Sequence, residues 1–362
     1  MTRFDWHVLR RFVSAALLLV ALISLVFVVL DYAEYVDDFL DRGATTAQVF
    51  GTYYPHYLFD ILRLTSPLAV FLSAIYVTSR LSQSSQLTAL HASGVSLGRY
   101  MRPLVLGGAA VAAFMVYFNG WLVPPANAVV VEFENQYHRD APQQSGAAGA
   151  YRQAAPGVVL AAGFFDRAEA RAYRVSLVTT DTSGTFAVRE RLDAAEMAYT
   201  DSLERWQMRD VTIRTFTGGT ERFRRVATLD TALALRPSDL AQTERDADKL
   251  TLPEARAYVA SLRRAGVQDV GRPLVATYTK VTYPLANLIL VLIGVPLAAR
   301  RRRGGQAVQL GLGLGVAFIY LAAQKTIEPL GYVGEIPPIV AAVAPHAAFL
   351  VVALVLLWRA RR

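Results

Sequence analysis

Apolar and charged segments alternate along this chain, and the pattern predicts six membrane-spanning helices. A helix of about 20 apolar residues crosses a hydrocarbon core roughly 30 Å thick. The second uncharged stretch is short, so we expect its helix to begin near Pro55, with Asp60 and Arg63 at its outer end. These two residues are three apart, which also fits a local ion pair. The uncharged stretches are residues 12–30, 64–79, 103–131, 281–299, 304–324 and 336–358.

The first of these stretches has one alternative reading, a secretory signal peptide. Its apolar run is longer than such a signal requires, and no small-residue cleavage pattern follows before Asp31. We therefore interpret it as the first spanning helix.

Residues 132–250 follow a different pattern, in which apolar and polar residues alternate with a period of two. Such alternation predicts half-buried strands, and it places Tyr173, Val175 and Leu177 on one face of a strand. The predicted fold class is therefore an α+β membrane protein, with an all-β domain, a sandwich or jelly roll, inserted between the third and fourth spanning helices. The other strand residues used here are Phe186, Val188, Trp206, Met208, Val211, Ile213, Phe223 and Val226.

A helix start follows the β region, and it predicts a connecting amphipathic helix within residues 251–272. Thr251 is the expected cap, Pro253 lies in the first turn and Glu254 completes a capping box. Gly266 is the expected end. The chain then divides into residues 1–131 with three spans, 132–250 with the β domain, 251–272 with this helix, and 273–362 with three spans.

The charges arrange these segments across the membrane. The net charge is +8, and the arginines cluster at the ends of apolar stretches, including the run at 300–303. Basic loops stay in the cytoplasm, so both ends of the chain are expected inside. The acidic residues 31–41 and the β domain are then expected outside. Because the basic residues follow the topology, we do not interpret them as a nucleic-acid site.

The loop at 80–102 between the second and third spans is patterned like a helix. Leu81, Leu87 and Leu90 fall near one face, and Gly94 is suited to end the helix. The candidate caps are Ser82, Gln83, Ser84 and Ser85. An amphipathic helix near 83–94 on the cytoplasmic surface is a suitable shape for docking a soluble partner. A plain interfacial helix is the alternative.

The chain carries no motif for chemistry of its own. It has no cysteine, no GxxxxGK[ST] phosphate loop and no GxSxG elbow, and its five histidines lack metal-ligand spacing. We therefore predict no catalytic site, no metal site and no cofactor.

A set of short motifs, in order along nearly the whole chain, resembles the LptF/LptG family of lipopolysaccharide export permeases. The resemblance leans towards the LptG branch, through the Asp37-Asp38 and Gly43 region and residues 266–272. The motifs are SPLA at 66–69, RLS at 80–82, ALHASGVS at 89–96, WQMRDV at 206–211, residues 252–266, KVTYPL at 280–285 and GEIPP at 334–338.

The resemblance implies a multi-pass subunit of the bacterial inner membrane, with both termini cytoplasmic and a periplasmic jelly-roll domain. Its implied partners are an LptB-type ATPase dimer, a second LptF/LptG-type permease subunit, LptC/LptA-type periplasmic jelly-roll proteins and lipopolysaccharide. The helix near 83–94 corresponds to the coupling helix that contacts the ATPase, and Gln86 stands where many members have Glu. The implied coupling residues are Arg80, Ser82, Gln83, Gln86, Leu87, Leu90, His91 and Gly94.

Members of the family hold the acidic lipid with basic residues near the outer end of the first span. This chain has mainly acidic residues there, so either Arg42, Arg63, Lys280 or Lys325 takes that role or the charge pattern of the lipid differs. For Lys280 and Lys325 the alternative is that they simply reach the membrane surface. The implied lipid-contacting residues are Leu30, Tyr32, Arg42, Arg63, Lys280, Phe318 and Lys325.

The implied mechanism is sideways entry of the lipid between the first and fifth spans, followed by ATP-driven transfer to the β domain. Two alternatives of other classes remain at this point. One is a membrane-anchored scaffold without transport activity. The other is a secondary transporter, which usually carries ionisable groups within the membrane.

Overall fold

The fold is that of a computed structural model of the 362-residue chain. The structure describes residues 2–137, 150–166, 169–181, 187–200, 205–217, 220–233, 249–264, 270–299 and 305–360, together with residues 235, 237 and 240. The basic run at 300–303, Phe186 and Gly266, all used above, lie outside the described residues.

The described chain contains eleven α-helices and two π-helical segments. Five helical segments are long and apolar enough to span a membrane, and a sixth is counted if α8 and α9, bent by 52°, are one broken span. The α-helices are α1 Arg3–Asp41, α2 Thr46–Gln48, α3 Tyr54–Gln83, α4 Gln86–Ala92, α5 Leu97–Tyr117, α6 Val123–Tyr137, α7 Leu252–Arg264, α8 Gly271–Thr282, α9 Leu285–Ala299, α10 Gly305–Tyr332 and α11 Pro338–Ala360. The π-helical segments are Val49–Tyr53 and Phe118–Leu122.

The predicted fold class is confirmed, since six strands are inserted between the third and fourth spans. The chain divides into two compact units, one of spanning helices and one that contains the sheet and most of α7. The strands are β1 Ala150–Ala155, β2 Val158–Asp166, β3 Arg171–Thr180, β4 Val188–Thr200, β5 Arg205–Thr217 and β6 Thr220–Thr231.

The first helix is much longer than its apolar stretch. It covers 39 residues, which at 1.5 Å per residue is about 58 Å, roughly twice the hydrocarbon thickness. The sequence placed its end at Asp31, where the charges begin. The charges do not end the helix, because acidic side chains are compatible with helical backbone wherever water surrounds it.

Two helices, α3 and α9, form the centre of the bundle. Phe71 and Ile75 of α3 pack with Ile289 and Ile293 of α9 in one apolar cluster. Pro67 lies inside α3. Because proline has no backbone N–H, it cannot make the helical hydrogen bond to the carbonyl of Arg63. The hydroxyl of Ser66 donates to that carbonyl at 3.4 Å.

The sheet is antiparallel, and its six strands lie in chain order from β1 to β6. A jelly roll has two sheets with strands that cross between them, so the described connectivity is simpler than the jelly roll named above. Each strand pairs with its nearest neighbour in sequence, as is usual for consecutive elements. The edges of this sheet are β1 and β6, and Phe223 on β6 is 80% exposed.

One residue on each of five adjacent strands interrupts the alternation of buried and exposed side chains. These five residues lie opposite one another and form a row across the sheet. On β3 the buried residues are Ala172, Val175 and Leu177, so the step across the row is three rather than two. The same step of three occurs on β2, β4, β5 and β6. This is why Tyr173, predicted to share a face with Val175, lies outside the core. The row is Gly163, Arg174, Ala195, Asp210 and Ala227, which are mutually aligned by the pairing of the adjacent residues.

The backbone at this row is left-handed on β3 and β5. Arg174 and Asp210, on β3 and β5, adopt left-handed backbone with φ of 53° each. Gly163 on β2 lies opposite Arg174, and a Cβ at that glycine would lie 2.9 Å from the Arg174 Nε. A glycine is needed there because the arginine side chain crosses it closely.

Candidate functional site

The helix in the loop at 80–102 exists, but it is shorter than predicted. Helix α3 continues to Gln83, and α4 covers only Gln86–Ala92. The turn between them uses Ser85 with a φ of 58°, and its side chain makes no capping hydrogen bond. Gly94 has a φ of 85°, as expected for the residue that ends a helix in left-handed backbone.

Leucine side chains hold α4 against the spanning helices. Leu87 is 2% exposed and packs in a cluster with Val8, Tyr100 and Leu104, while Leu90 packs on the same cluster from its edge. Leu87 was expected among the residues that contact the ATPase. Its burial instead gives it the role of an anchor, because a side chain covered by its own chain has no surface left for a partner.

The opposite face of α4 is open. The exposed side chains there are those of Gln86, Thr88, Ala89, His91 and Ala92. A surface with two small alanines allows close approach of another protein. We call these five residues the α4 face.

The other predicted coupling residues organise the loop around α4. Arg80 donates to the Tyr76 hydroxyl at 3.2 Å, and Ser82 donates to the carbonyl of Ala299 at 3.0 Å. The Nδ1 of His91 lies 2.9 Å from the carbonyl of Val95. Gln83 is half-buried where α3 ends. Arg80 and Ser82 lie on α3, so their contacts fall within α3 and between α3 and α9, while His91 joins α4 to the residues that follow it.

A second site lies near the other end of the bundle, where three irregular helical segments line one cavity. The first is α3 at Arg63 and Leu64, close to Pro67; the second is the π-helical segment at Asn119; the third is the break between α8 and α9 at Tyr283. Irregular backbone at membrane depth occurs where it lines a cavity, and π-helical segments are frequent at functional sites. We call this space the polar cavity.

The polar cavity collects three of the basic residues predicted to contact lipid. Arg63, Lys280 and Lys325 all line it, from α3, α8 and α10. Lys280 is only 7% exposed, so its position is fixed by the fold rather than by solvent. The fold thus places these three basic side chains around one space.

Two carboxylates partly balance these charges. Asp60 pairs with Arg63 at 2.5 Å, which is the local ion pair anticipated from their spacing. Glu328 is buried, lies 3.8 Å from Lys325 and accepts a hydrogen bond from Gln324 at 2.9 Å. Among the described residues, Arg63, Lys280 and Lys325 thus meet Glu328 in the wall of one cavity, an arrangement that can hold a charged group.

The size of the polar cavity limits what it can hold. Its volume is about 200 Å³, enough for a few waters or a phosphate group but not for an acyl chain, since water occupies about 30 Å³ per molecule. The Oδ1 of Asn119 and the Oε1 of Gln324 are buried there without a hydrogen-bond partner among the described residues. Unpaired buried oxygens of this kind require water or another donor.

The remaining predicted lipid contacts lie elsewhere. Leu30 on α1 and Phe318 on α10 are exposed, and the Tyr32 ring lies tilted against the Phe50 ring with centroids 5.3 Å apart. Arg42 caps the end of α1. Phe318 and Lys325 are seven residues apart on α10, which places them on one face. The structure thus brings together Arg63, Lys280 and Lys325 but not Arg42. The apolar side chains of Leu30 and Phe318 are exposed on other surfaces.

Sequence reasoning missed Asn119, Gln324 and Glu328. Each lies in an apolar stretch or at its end, and a single polar residue there gives no sign of its partners. The one available signal was that an uncharged polar residue inside a spanning helix needs a reason. No group of metal-binding side chains occurs among the residues that the structure describes.

Comparison with known proteins gives a consistent result. The family described as "Lipopolysaccharide export system permease LptF/LptG" matches residues 6–359. A 126-residue stretch is 29% identical to the lipopolysaccharide export system permease protein LptG of Escherichia coli strain K12, and equally to that of Escherichia coli O6:H1. The match covers 34% of this chain and 35% of each relative, so the chain aligns with about a third of the length of these curated relatives.

Proposed function

The chain belongs to the LptF/LptG family of lipopolysaccharide export permeases, and from this premise we propose that it extracts lipopolysaccharide from the outer leaflet of the bacterial inner membrane. The observation that carries the proposal is the polar cavity, where Arg63, Lys280 and Lys325 meet. Lipopolysaccharide joins acidic groups to acyl chains, and this bundle offers a basic cavity together with exposed apolar helix faces.

The proposed orientation follows the charges. The end of the bundle with Arg10, Arg80, Arg99 and Arg359 faces the cytoplasm, by the positive-inside rule. Both termini are then cytoplasmic, and the sheet is periplasmic. We call the arginine-rich end the basic end.

The proposed path of the acyl chains runs along α1 and α10. Leu22 and Leu25 of α1 and Phe318 of α10 are exposed apolar side chains. A phosphate of the lipid occupies the polar cavity, where it replaces part of the pairing between Lys325 and Glu328. A second LptF/LptG-type subunit completes the site from the other side, because α1 leaves most of its surface uncovered.

The proposed energy source is a separate LptB-type ATPase dimer that contacts the α4 face. The lipid then passes to the β domain, and the exposed edge β6 pairs with an LptC/LptA-type jelly-roll protein by strand addition. Among the described strands β6 pairs only with β5, and an edge strand of this kind offers the backbone groups that such pairing needs.

The decisive experiment reconstitutes the chain with a second permease subunit and the ATPase in proteoliposomes that contain lipopolysaccharide. We expect ATP-dependent release of lipid to an LptC/LptA-type acceptor. Ala89→Arg, which adds bulk and charge to the α4 face, should release the ATPase on purification. Ala360→Arg adds the same side chain at the end of α11 and should leave the complex intact.

Leu87→Asp provides a separate readout, because Leu87 is an anchor. It should lower the melting temperature of the isolated chain, whereas Ala89→Arg should not. If the ATPase remains bound to Ala89→Arg at full yield, the assignment of the α4 face is wrong.

One alternative function is favoured by a specific observation. Asp60, Arg63, Lys280 and Glu328 form a compact ionisable group in the spanning unit, as a secondary transporter would require. Lipid release that continues without ATP but stops when ion gradients are collapsed would favour that alternative.

A further inference from the structure

A large groove lies at the basic end, far along the helices from the polar cavity. It has a volume of about 760 Å³ and lies between α1, α3 and α10. Its lining divides into two zones. His7, Arg10, Arg11 and Arg80 form a basic zone, and leucines and small residues form an apolar zone beside it.

The arginines of the basic zone are available to a ligand. Arg10, Arg11 and Arg80 are exposed, and none of them forms a salt bridge with a carboxylate among the described residues. The nearest acidic residue on α1, Asp5, is already engaged by Arg99 at 3.0 Å and by the backbone of Thr2. Three like charges therefore converge on one space without compensation.

The apolar zone continues directly from the charges. Leu18, Leu72 and Leu314 line it from the three helices. Arg10 and Leu18 are eight residues apart, which corresponds to about 12 Å along a helix. A ligand that fills the groove must be anionic at one end and apolar for a considerable length beyond it.

The glycines of α10 open this groove. Gly311 and Gly315 are four residues apart and share one face of α10, but a Cβ at either would meet nothing within 4 Å. The close approach is made by Gly313, where a Cβ would collide with Ile75. Gly311 instead lines the groove and leaves room in it.

We propose that this groove binds an anionic phospholipid of the cytoplasmic leaflet, with its phosphate at Arg10, Arg11 and Arg80 and one acyl chain along the apolar zone. The inference rests on the orientation given under the proposed function. Lipopolysaccharide is a different ligand, since it is proposed to enter from the other leaflet near the opposite ends of the same helices.

A helix of a second permease subunit is a poorer occupant. It would have to bury three guanidinium groups, and burying charges without partners is costly. An anionic headgroup at the membrane surface supplies the countercharge while it remains hydrated, and the negative potential of the cytoplasmic leaflet favours basic side chains there.

The test uses the full-length chain, in the complex with which it purifies, in nanodiscs of phosphatidylcholine with one fifth phosphatidylglycerol. Lipids retained after extraction into mild detergent are counted by native mass spectrometry. We expect phosphatidylglycerol to be retained at least about tenfold over its share in the nanodisc, because each basic residue at an anionic surface contributes about fivefold.

Two independent variants should remove this retention. The triple variant Arg10→Ala, Arg11→Ala, Arg80→Ala removes the charges, and its matched control removes Arg3, Arg102 and Arg359, which are exposed at the same end but outside the groove. Gly311→Trp fills the groove without a change of charge, and Gly315→Trp is its control at an equally open position. Retention should persist in both controls, and all four proteins should keep the wild-type melting temperature.

Three outcomes would overturn the proposal. Equal loss in the triple variant and its control would mean that only the general surface charge attracts the lipid. Retention that survives Gly311→Trp would place the lipid elsewhere. Loss, in the same variants, of lipopolysaccharide that co-purifies with the wild-type complex would make the groove part of the export path. The readout needs neither ATP nor lipid export, so it can fail while the proposed function stands, and the reverse also holds.

Discussion

Helices α1 and α3 are both apolar spanning helices, yet they occupy opposite environments. Only 6% of the most apolar window of α1 is buried inside the structure, compared with 56% for α3. The difference follows from their side chains. In α1 that window is almost wholly aliphatic, while α3 carries Ser66, Ser73, Thr78 and Ser79, all buried. Small and polar residues, rather than hydropathy, identify the helix at the centre of a membrane bundle.

The largest expected effect breaks the packing of the central helix. Gly294→Leu on α9 places a Cβ 2.9 Å from the ring of Phe71, and such overpacking costs about 3 kcal/mol. We expect a loss of monodisperse protein in size-exclusion chromatography and a lower melting temperature. Leu22→Ala on the exposed face of α1 is the control and should change little. An equal loss in both would mean that α1 is as tightly packed as α3.

The next effect compares two lysines, one central and one peripheral. Lys280 is buried, while the Lys325 side chain is 69% exposed. We expect Lys280→Gln to reduce retention of lipopolysaccharide about tenfold, since a charge-assisted hydrogen bond contributes about 1.5 kcal/mol. Lys325→Gln should reduce it less, because its exposed ammonium is screened by water. Retention is measured by quantifying lipid that co-purifies, and a larger effect at Lys325 would contradict the assignment of Lys280 as the main contact.

A smaller effect concerns the contact between α1 and α3. The hydroxyl of Ser73 donates to the carbonyl of Phe12 at 2.6 Å. Its removal in Ser73→Ala should cost about 0.6 kcal/mol, the typical value for such bonds in membrane proteins. Ser24→Ala on α1 is the matched control, because the Ser24 hydroxyl is buried without a partner among the described residues. Thermal unfolding in detergent compares the two, and equal changes would remove any special role for Ser73.

The smallest expected effect concerns an ion pair on the surface of the sheet, between Asp193 and Arg191. Burial raises the pKa of Asp193 on the sheet, but the hydrogen bond and charge of Arg191 and the charge of Arg214 outweigh it, so the pKa lies below its ordinary value. The stabilisation from this pair is present above the ordinary carboxyl pKa and is lost as the pH falls through the lowered one. Asp193→Asn should therefore cost less than about 1 kcal/mol at pH 7, and nothing at the acid end of a melting-temperature series. A cost that stays constant with pH would contradict the role of the charge.

The sequence could predict the helices and the presence of strands because these depend on local patterns. The uncharged stretches located every span, and the i, i+3 spacing of Asp60 and Arg63 anticipated their ion pair. Helix α1 extends further than predicted, since charge does not by itself end a helix. The start of α4 was also predicted too early, near residue 83 rather than at Gln86, because each of the four residues 82–85 is suited to cap a helix.

The arrangement of the sites could not be predicted in the same way. Leu87 and Gln86 are adjacent in sequence, and periodicity identifies an apolar face without saying whether it meets a partner or its own chain. Lys280 and Lys325 are 45 positions apart, and only the packing of α8 and α10 brings both to the wall of one cavity. These distances depend on how irregular helices pack together.

The row of residues through Asp210 has a consequence for how this sheet can vary. Deleting Asp210 would restore plain alternation in β5 while β4 and β6 kept their step of three. The far half of β5, with Val211 and Ile213, would then be one residue out of step with both neighbours. Insertions and deletions along that line are therefore acceptable only if five strands change at once, whereas the turns between strands can lengthen one at a time.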